Sequence, residues 1–222
     1  MSGSGSLGKQ KARERERFTG VLKGLGFPEL MSRSEGLRAR FSGLIRAVSG
    51  VLAGRHIVSF CPFESEPQIN IESEARDEPY AVAYVRIDDW GRREMSARKA
   101  RRDTPDLWEE LELGKGRTVY QPRASQPYCE KEDIAIILVP GLAFTREGVR
   151  LGRGAGFYDR FLRLHSSALR VGVGFDVQMA GELPFEEWDE KLDIILTDSA
   201  SHSSNFYEEW RKHGKITSRI GT

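Results

Sequence analysis

Cysteine is nearly missing: Cys61 and Cys129 are the only two in 222 residues. They form no CxxC pair and lie far apart, which argues against a cysteine metal cluster. A reducing, cytoplasmic setting is expected. Net charge is nearly missing too, with 34 Lys and Arg against 33 Asp and Glu. Bulk charge therefore does not make the molecule a polyanion binder, and any anion site must be local. No apolar run approaches the length of a membrane span and no signal-peptide pattern is seen, so no membrane partner is expected. The four histidines (His56, His165, His202, His213) are scattered, and no G-x-S-x-G elbow occurs. Covalent catalysis through a paired nucleophile and base is disfavoured.

What is present suits one α/β domain. The apolar fraction, 39%, is that of an ordinary soluble protein, and the length allows a sizeable core. The first residues, MSGSGSLG, are flexible in composition and are set aside as segment 1–8. Residues 9–198 form the expected domain, and 199–222 a polar extension in which Phe206, Tyr207 and Trp210 could dock as a helical turn. Helices are expected at Lys9–Leu25, with Phe18, Val21, Leu22 and Leu25 on one face, and at about Ser34–Leu52. Gly26-Phe27-Pro28 separates them. Strands are expected at His56–Phe60, Tyr80–Ile87, Thr118–Tyr120, Ile134–Val139 and Leu169–Phe175, and a short helix at Pro105–Leu113.

The most informative stretch is Ile134 to Leu164. It opens on a run rich in β-branched residues, the pattern of a strand buried on both faces. Pro140-Gly141 ends that run. Glycines at 152, 154 and 156 then alternate with Arg153 and Ala155, after which Phe157, Phe161 and Leu164 recur at helical spacing. Strand, turn, glycine loop and helix start is an arrangement that binds phosphate. Glycines let backbone N–H groups approach a polyanion, and the helix start adds unpaired N–H groups and the positive end of its dipole. Arg150 and Arg153 place charge beside the loop, and Asp159 falls in the first helical turn. The spacing G-x-G-x-G is neither the dinucleotide fingerprint nor the Walker loop. The alternative is a glycine-rich hairpin that only turns the chain.

VPGLAF (139–144), followed by G-V-R-L-G-x-G-x-G-F-Y-D-R-F-L (148–162), resembles the signature of the 5-formyltetrahydrofolate cyclo-ligase family, also called 5,10-methenyltetrahydrofolate synthetase. Weaker similarity runs from about Lys11 to Asp198. The resemblance implies a single α/β domain of the cyclo-ligase type (NagB/RpiA/CoA transferase-like), with a mostly parallel central sheet and helices on both faces. It implies ATP and Mg²⁺ as cofactors, a reduced folate as substrate, and no nucleic-acid partner; a monomer is expected. It assigns Lys11, Arg15, Arg150, Leu151, Gly152, Arg153, Gly154, Ala155, Gly156, Phe157 and Tyr158 to ATP, and Cys61, Glu66, Arg153, Phe157 and Tyr158 to the folate. Arg150, Arg153 and Asp159 become the catalytic residues, and Asp159 and Asp189 the metal ligands. The register at the N-terminus has a second choice, Lys9 with Arg13, which leaves polar Glu16 and Gly20 where the family has apolar residues.

The chain departs from the family pattern at residues 65–69, at Gln121 and Trp188, which replace Glu and His, and at Thr145, which replaces an Asp. These departures leave open a relative that keeps ATP and acts on another substrate. The basic run from Arg92 to Arg102 is read first as a solvated loop. Its other readings are a collar for the carboxylates of the folate tail and, last, a nucleic-acid patch in a non-enzymatic module.

Overall fold

The structure, a computed structural model, describes residues 3–63, 65–75, 80–113 and 118–213. Helix α1 (Gly3–Lys23) and helix α2 (Phe27–Val48) open the chain, and Pro28 sits in the first turn of α2, where its missing N–H costs nothing. Strand β1 (His56–Ser59), the short helix α3 (Glu72–Ala75) and the hairpin β2 (Ala81–Asp89) and β3 (Glu94–Arg98) follow. A second hairpin, β4 (Trp108–Glu112) and β5 (Thr118–Pro122), precedes β6 (Ile134–Pro140). Then come the two-residue strands β7 (Ala143–Phe144) and β8 (Arg150–Leu151), helix α4 (Phe157–Leu164), β9 (Leu169–Val173), β10 (Ile194–Leu196), β11 (Ser201–Ser203) and helix α5 (Asn205–His213).

Seven strands form the main sheet in the order β11-β10-β9-β6-β1-β2-β3. The five from β10 to β2 pair in parallel, and β3 and β11 close the edges antiparallel. Burial on both sides explains the near-continuous apolar run of β6, where Ile134 to Val139 are inaccessible to solvent. On one face Leu37, Phe41 and Ile45 of α2 pack against Ile136, Leu138 and Val171; on the other Phe161 and Leu162 of α4 pack against Ile137 and Val139. The expected mixed α/β fold, with helices on both faces of a mostly parallel sheet, is therefore present.

Several local expectations differ from the structure. The chain is already helical from Gly3, inside the segment expected to be flexible, and α2 begins at Phe27 rather than Ser34. Val21 is exposed on α1, while Phe18 and Leu22 are buried. Residues 105–113 form a turn of 3-10 helix and strand β4 instead of a helix. The spacing of Leu107, Trp108 and Leu111 is helical, but pairing with β5 satisfies the backbone and overrides it. Within the basic run Arg92, Arg93, Arg101 and Arg102 are exposed, as expected of a solvated segment, but Glu94–Arg98 is edge strand β3. Arg98 is buried, donates to Asp88 at 3.2 Å and to the carbonyls of Ala124 and Gln126, and stacks on the Tyr128 ring.

The polar extension also contributes to the fold. Trp210 of α5 is fully buried in the cluster that holds Leu52, Ile57 and Ile194, with Phe206 and Tyr207 against it. Residues 214–222 lie outside the described residues.

Candidate active site

From β1 the chain proceeds to β2 and β3 on one side of the sheet, whereas from β6 it proceeds to β9, β10 and β11 on the other. The two neighbouring strands β1 and β6 thus mark the point where the strand order reverses. A parallel sheet leaves a crevice there, outside the carboxyl ends of its strands. Both ends carry the residues singled out above. Phe60 to Glu66 follow β1, and Pro140-Gly141 with the glycine loop follow β6. A cleft of about 770 Å³ opens between them, and every candidate site residue from Lys11 to Asp189 lines it. That volume suits a substantial small molecule.

The glycine loop is built by close approach. Gly154 and Gly156 take φ of 101° and 73°, conformations that side chains rarely adopt, and Gly156 caps the start of α4. Each alternate glycine also has a guanidinium over the place of its missing side chain. A Cβ on Gly152 would lie 2.6 Å from Arg150 Nη1, one on Gly154 3.2 Å from Arg15 Cζ, and one on Gly156 3.5 Å from Arg93 Nη1. The three arginines come from β8, from α1 and from the turn between β2 and β3. The Pro140-Gly141 turn is held by buried Gln178, whose amide N–H donates to the Gly141 carbonyl at 2.7 Å and whose amide oxygen accepts from Phe175 N–H.

Helix α1 delivers Lys11 and Arg15 on one face, four residues apart. Arg15 Nε donates to the Gly152 carbonyl at 3.0 Å. Lys11 is buried and bonded to Glu186 at 2.5 Å and Asp189 at 2.6 Å. Lys9 and Arg13 are exposed, so the register that faces the cleft is that of Lys11 and Arg15.

On the opposite wall Glu66 is buried and accepts from Arg153 Nε at 3.1 Å, Arg153 Nη2 at 3.0 Å and Phe63 N–H at 3.0 Å. Burial pushes the Glu66 carboxyl above the usual carboxylate range, and Arg153 opposes that rise. Gln68 bonds back to the Phe63 and Glu66 carbonyls. This short loop keeps Glu66 in the cleft although segment 65–69 departs from the family pattern.

Tyr158 lies beneath Arg150, its ring centre 5.4 Å from the guanidinium carbon. Its phenol oxygen is buried without a hydrogen-bond partner among the described residues. Burial holds that phenol well above its ordinary pKa. The Cys61 thiol is pushed up to about 11 by burial, which leaves almost no thiolate and removes it as a nucleophile.

The two expected metal ligands are both in the cleft, each facing a cation. Asp159 pairs with Arg150 at 3.2 Å and accepts from Glu190 N–H at 3.4 Å; Asp189 holds Lys11. Among the described residues no three His, Cys, Asp or Glu side chains are gathered as a metal site.

Some wall residues were not anticipated. Glu186 precedes Asp189 by one turn of chain and shares Lys11, and only that spacing hinted at it. Phe63, Trp90 and Arg93 also line the cleft. Of the departures, Gln121 and Trp188 line it too, whereas Thr145 bonds the β7–β8 turn through its backbone at 2.9 Å. The lining carries seven Lys or Arg against four Asp or Glu, a local excess of positive charge on a nearly neutral chain.

Residues 91–198 match the 5-formyltetrahydrofolate cyclo-ligase family. The resemblance read from the glycine loop is borne out over that region. Named relatives include the probable 5-formyltetrahydrofolate cyclo-ligase of Caenorhabditis elegans, 36% identical over 77 residues, and the 5-formyltetrahydrofolate cyclo-ligase of Saccharomyces cerevisiae, 38% identical over 90. Those matches cover 32% and 37% of this chain and 37% and 43% of the relatives. The aligned part thus spans about two fifths of the cyclo-ligases it matches. Structural likeness reaches further. The 5,10-methenyltetrahydrofolate synthetase of Aquifex aeolicus superposes with a TM-score of 0.71 at 24% identity, covering 87% of this chain and 92% of that one. That of Mycoplasma pneumoniae gives 0.66 at 17% identity, covering 85% and 98%. The cyclo-ligase-type fold therefore extends over nearly the whole chain. Among the described residues no helix is long and apolar enough to cross a membrane.

Proposed function

We propose that the chain is an ATP-dependent 5-formyltetrahydrofolate cyclo-ligase, releasing 5,10-methenyltetrahydrofolate, ADP and phosphate. The observation that carries the reading is the convergence of the cationic glycine loop and buried Glu66 on one cleft at the sheet's switch point.

A formyl amide is a poor electrophile because its oxygen leaves badly. In the proposed reaction the formyl oxygen attacks the γ-phosphorus. A P–O bond forms there, the bond to the β-phosphate oxygen breaks, and ADP leaves. The neighbouring N10 amine then adds to the activated carbon and gives up its proton. The C–O bond breaks, phosphate departs, and the five-membered ring is closed. Both nucleophiles belong to the substrate, so the protein needs only to align them and to stabilise spreading negative charge.

The residues divide accordingly. N–H groups of residues 154–158, with Arg15 and Arg150, hold the triphosphate, and Lys11 supports it from α1. Glu66 accepts paired hydrogen bonds from the pterin ring's amino and N–H groups, displacing the guanidinium of Arg153. Arg153 is then free to face the transferred group. Cys61, Phe157 and Tyr158 line the folate side. Asp159 and Asp189 are hard oxygen donors of the kind Mg²⁺ takes, usually one or two carboxylates with phosphate oxygens and water. When bound, the ion would share with Lys11, Arg15 and Arg150 the neutralisation of phosphate charge.

The test is to titrate 5-formyltetrahydrofolate and read the absorbance of the methenyl product with and without ATP and Mg²⁺. The reading requires product formation that depends on ATP. Nucleotide binding with no product from this folate would instead indicate a relative with another substrate.

A further inference from the structure

We infer that Arg93, in the turn between β2 and β3, is a nucleotide-phosphate ligand of the cleft. The inference rests on the phosphate-binding part of the preceding proposal and adds a residue from outside the glycine motif.

Three observations converge on it. The first is the pattern of the loop. Gly152, Gly154 and Gly156 each present a bare Cα to an arginine, respectively Arg150, Arg15 and Arg93. The first two arginines already belong to the phosphate site, and Arg93 stands in the same relation to the third glycine. Its Nη1 lies 3.5 Å from where a Cβ on Gly156 would sit, at the residue that caps α4. Unpaired N–H groups and the positive end of a helix favour an anion at that point.

The second is the state of the side chain. Arg98 and Arg101 are committed to Asp88 and Asp103. Arg93 lines the cleft, and its guanidinium makes no hydrogen bond or ion pair among the described residues.

The third is the backbone that delivers it. Arg93 has φ of 57°, the only positive value on a non-glycine among the described residues. The turn is closed by Arg93 N–H to the Trp90 carbonyl at 3.3 Å and by Arg92 N–H to Asp89 Oδ1 at 2.8 Å. Glycine is the usual residue at a left-handed position ending such a hairpin turn. A strained arginine is kept here instead, in a turn held against α4 by the Trp90 and Phe157 rings, 5.0 Å apart. A folding role would favour Gly at 93; an anion-binding role requires the guanidinium.

The test compares wild type with Arg93→Gly and Arg93→Lys. Arg93→Gly removes the strain, so its melting temperature should equal or exceed wild type. Its dissociation constant for a non-hydrolysable ATP analogue, by calorimetry, should rise about tenfold, the size of one charge-assisted contact. Arg93→Lys, which keeps charge and loses the planar fork, should fall between. In turnover the KM for ATP should rise in Arg93→Gly, and the KM for the folate should not. A wild-type dissociation constant in Arg93→Gly, or a rise confined to the folate's KM, overturns the assignment. If wild type binds the analogue but makes no methenyl product, the proposed reaction fails and the calorimetric comparison still decides Arg93. If wild type binds no nucleotide, both fail.

Discussion

Arg153 places two guanidinium nitrogens 3.0 and 3.1 Å from one oxygen of Glu66, whose carboxylate is buried while Arg153 remains about a third exposed. The pair spans the cleft between the end of β1 and the glycine loop. It therefore joins the two walls that the proposed reaction must bring substrate between.

That asymmetry predicts unequal consequences of breaking the pair. Arg153→Ala leaves a buried carboxylate without its cation, and unfolding in urea should show a loss of about 2 kcal/mol. Glu66→Gln leaves a guanidinium that water can reach and should cost less. Combining Glu66→Gln with Arg153→Met should recover most of the difference. Equal losses in the two single variants would show that the ion pair does not hold the walls.

Stability should depend on pH through the same residue. The folded-state pKa of Glu66 is raised above its ordinary 4.5 by burial. Between those two values the folded chain binds more protons than the unfolded one, so this group's contribution to stability falls as pH rises through that window. The stability difference between wild type and Glu66→Gln, followed by urea unfolding from pH 4 upward, should therefore move against wild type with rising pH and then level off. A difference that does not change with pH would contradict the burial argument.

Arg150 and Asp159 meet at 3.2 Å beside the first glycine of the loop. Arg150→Ala and Asp159→Ala should each lower ATP-dependent turnover by about a hundredfold or more, the size seen when one donor to developing charge is removed. Far-ultraviolet circular dichroism should remain that of wild type. A rate like wild type in either variant removes that residue from the mechanism.

Trp210 is wholly buried between α5 and the sheet although it lies beyond the region of family resemblance. Trp210→Ala should cost about 3–5 kcal/mol in urea unfolding. A change below about 1 kcal/mol would mean that α5 does not belong to the cooperative fold.

Where one physical signal dominated, the structure was legible in the sequence. The unbroken apolar run of β6 has few states open to it other than a doubly buried strand. The alternating glycines followed by helical spacing could be placed because backbone N–H groups, not side chains, define such a loop. Residues 105–113 differ from the helix that their apolar spacing predicts because the deciding factor was a partner, β5, that is not local. Arg93 was hidden for the same reason. It sits in a run of basic residues that look alike in sequence, and only the pairing of β2 with β3 brings this one to the glycine loop. Trp210 was seen as able to dock, but burial against the sheet is a tertiary property. Asp159 and Asp189 are expected from the resemblance as a pair of metal ligands, while in the structure each faces a cation, because charge neutralisation across elements leaves no local trace.

The most direct test is a crystal structure with a non-hydrolysable ATP analogue and Mg²⁺. The account predicts the triphosphate against the N–H groups of residues 154–158, with Arg15 and Arg150 on its oxygens and Lys11 turned from Asp189 toward it. A triphosphate lodged elsewhere, or a glycine loop packed shut with no nucleotide in the cleft, would contradict it.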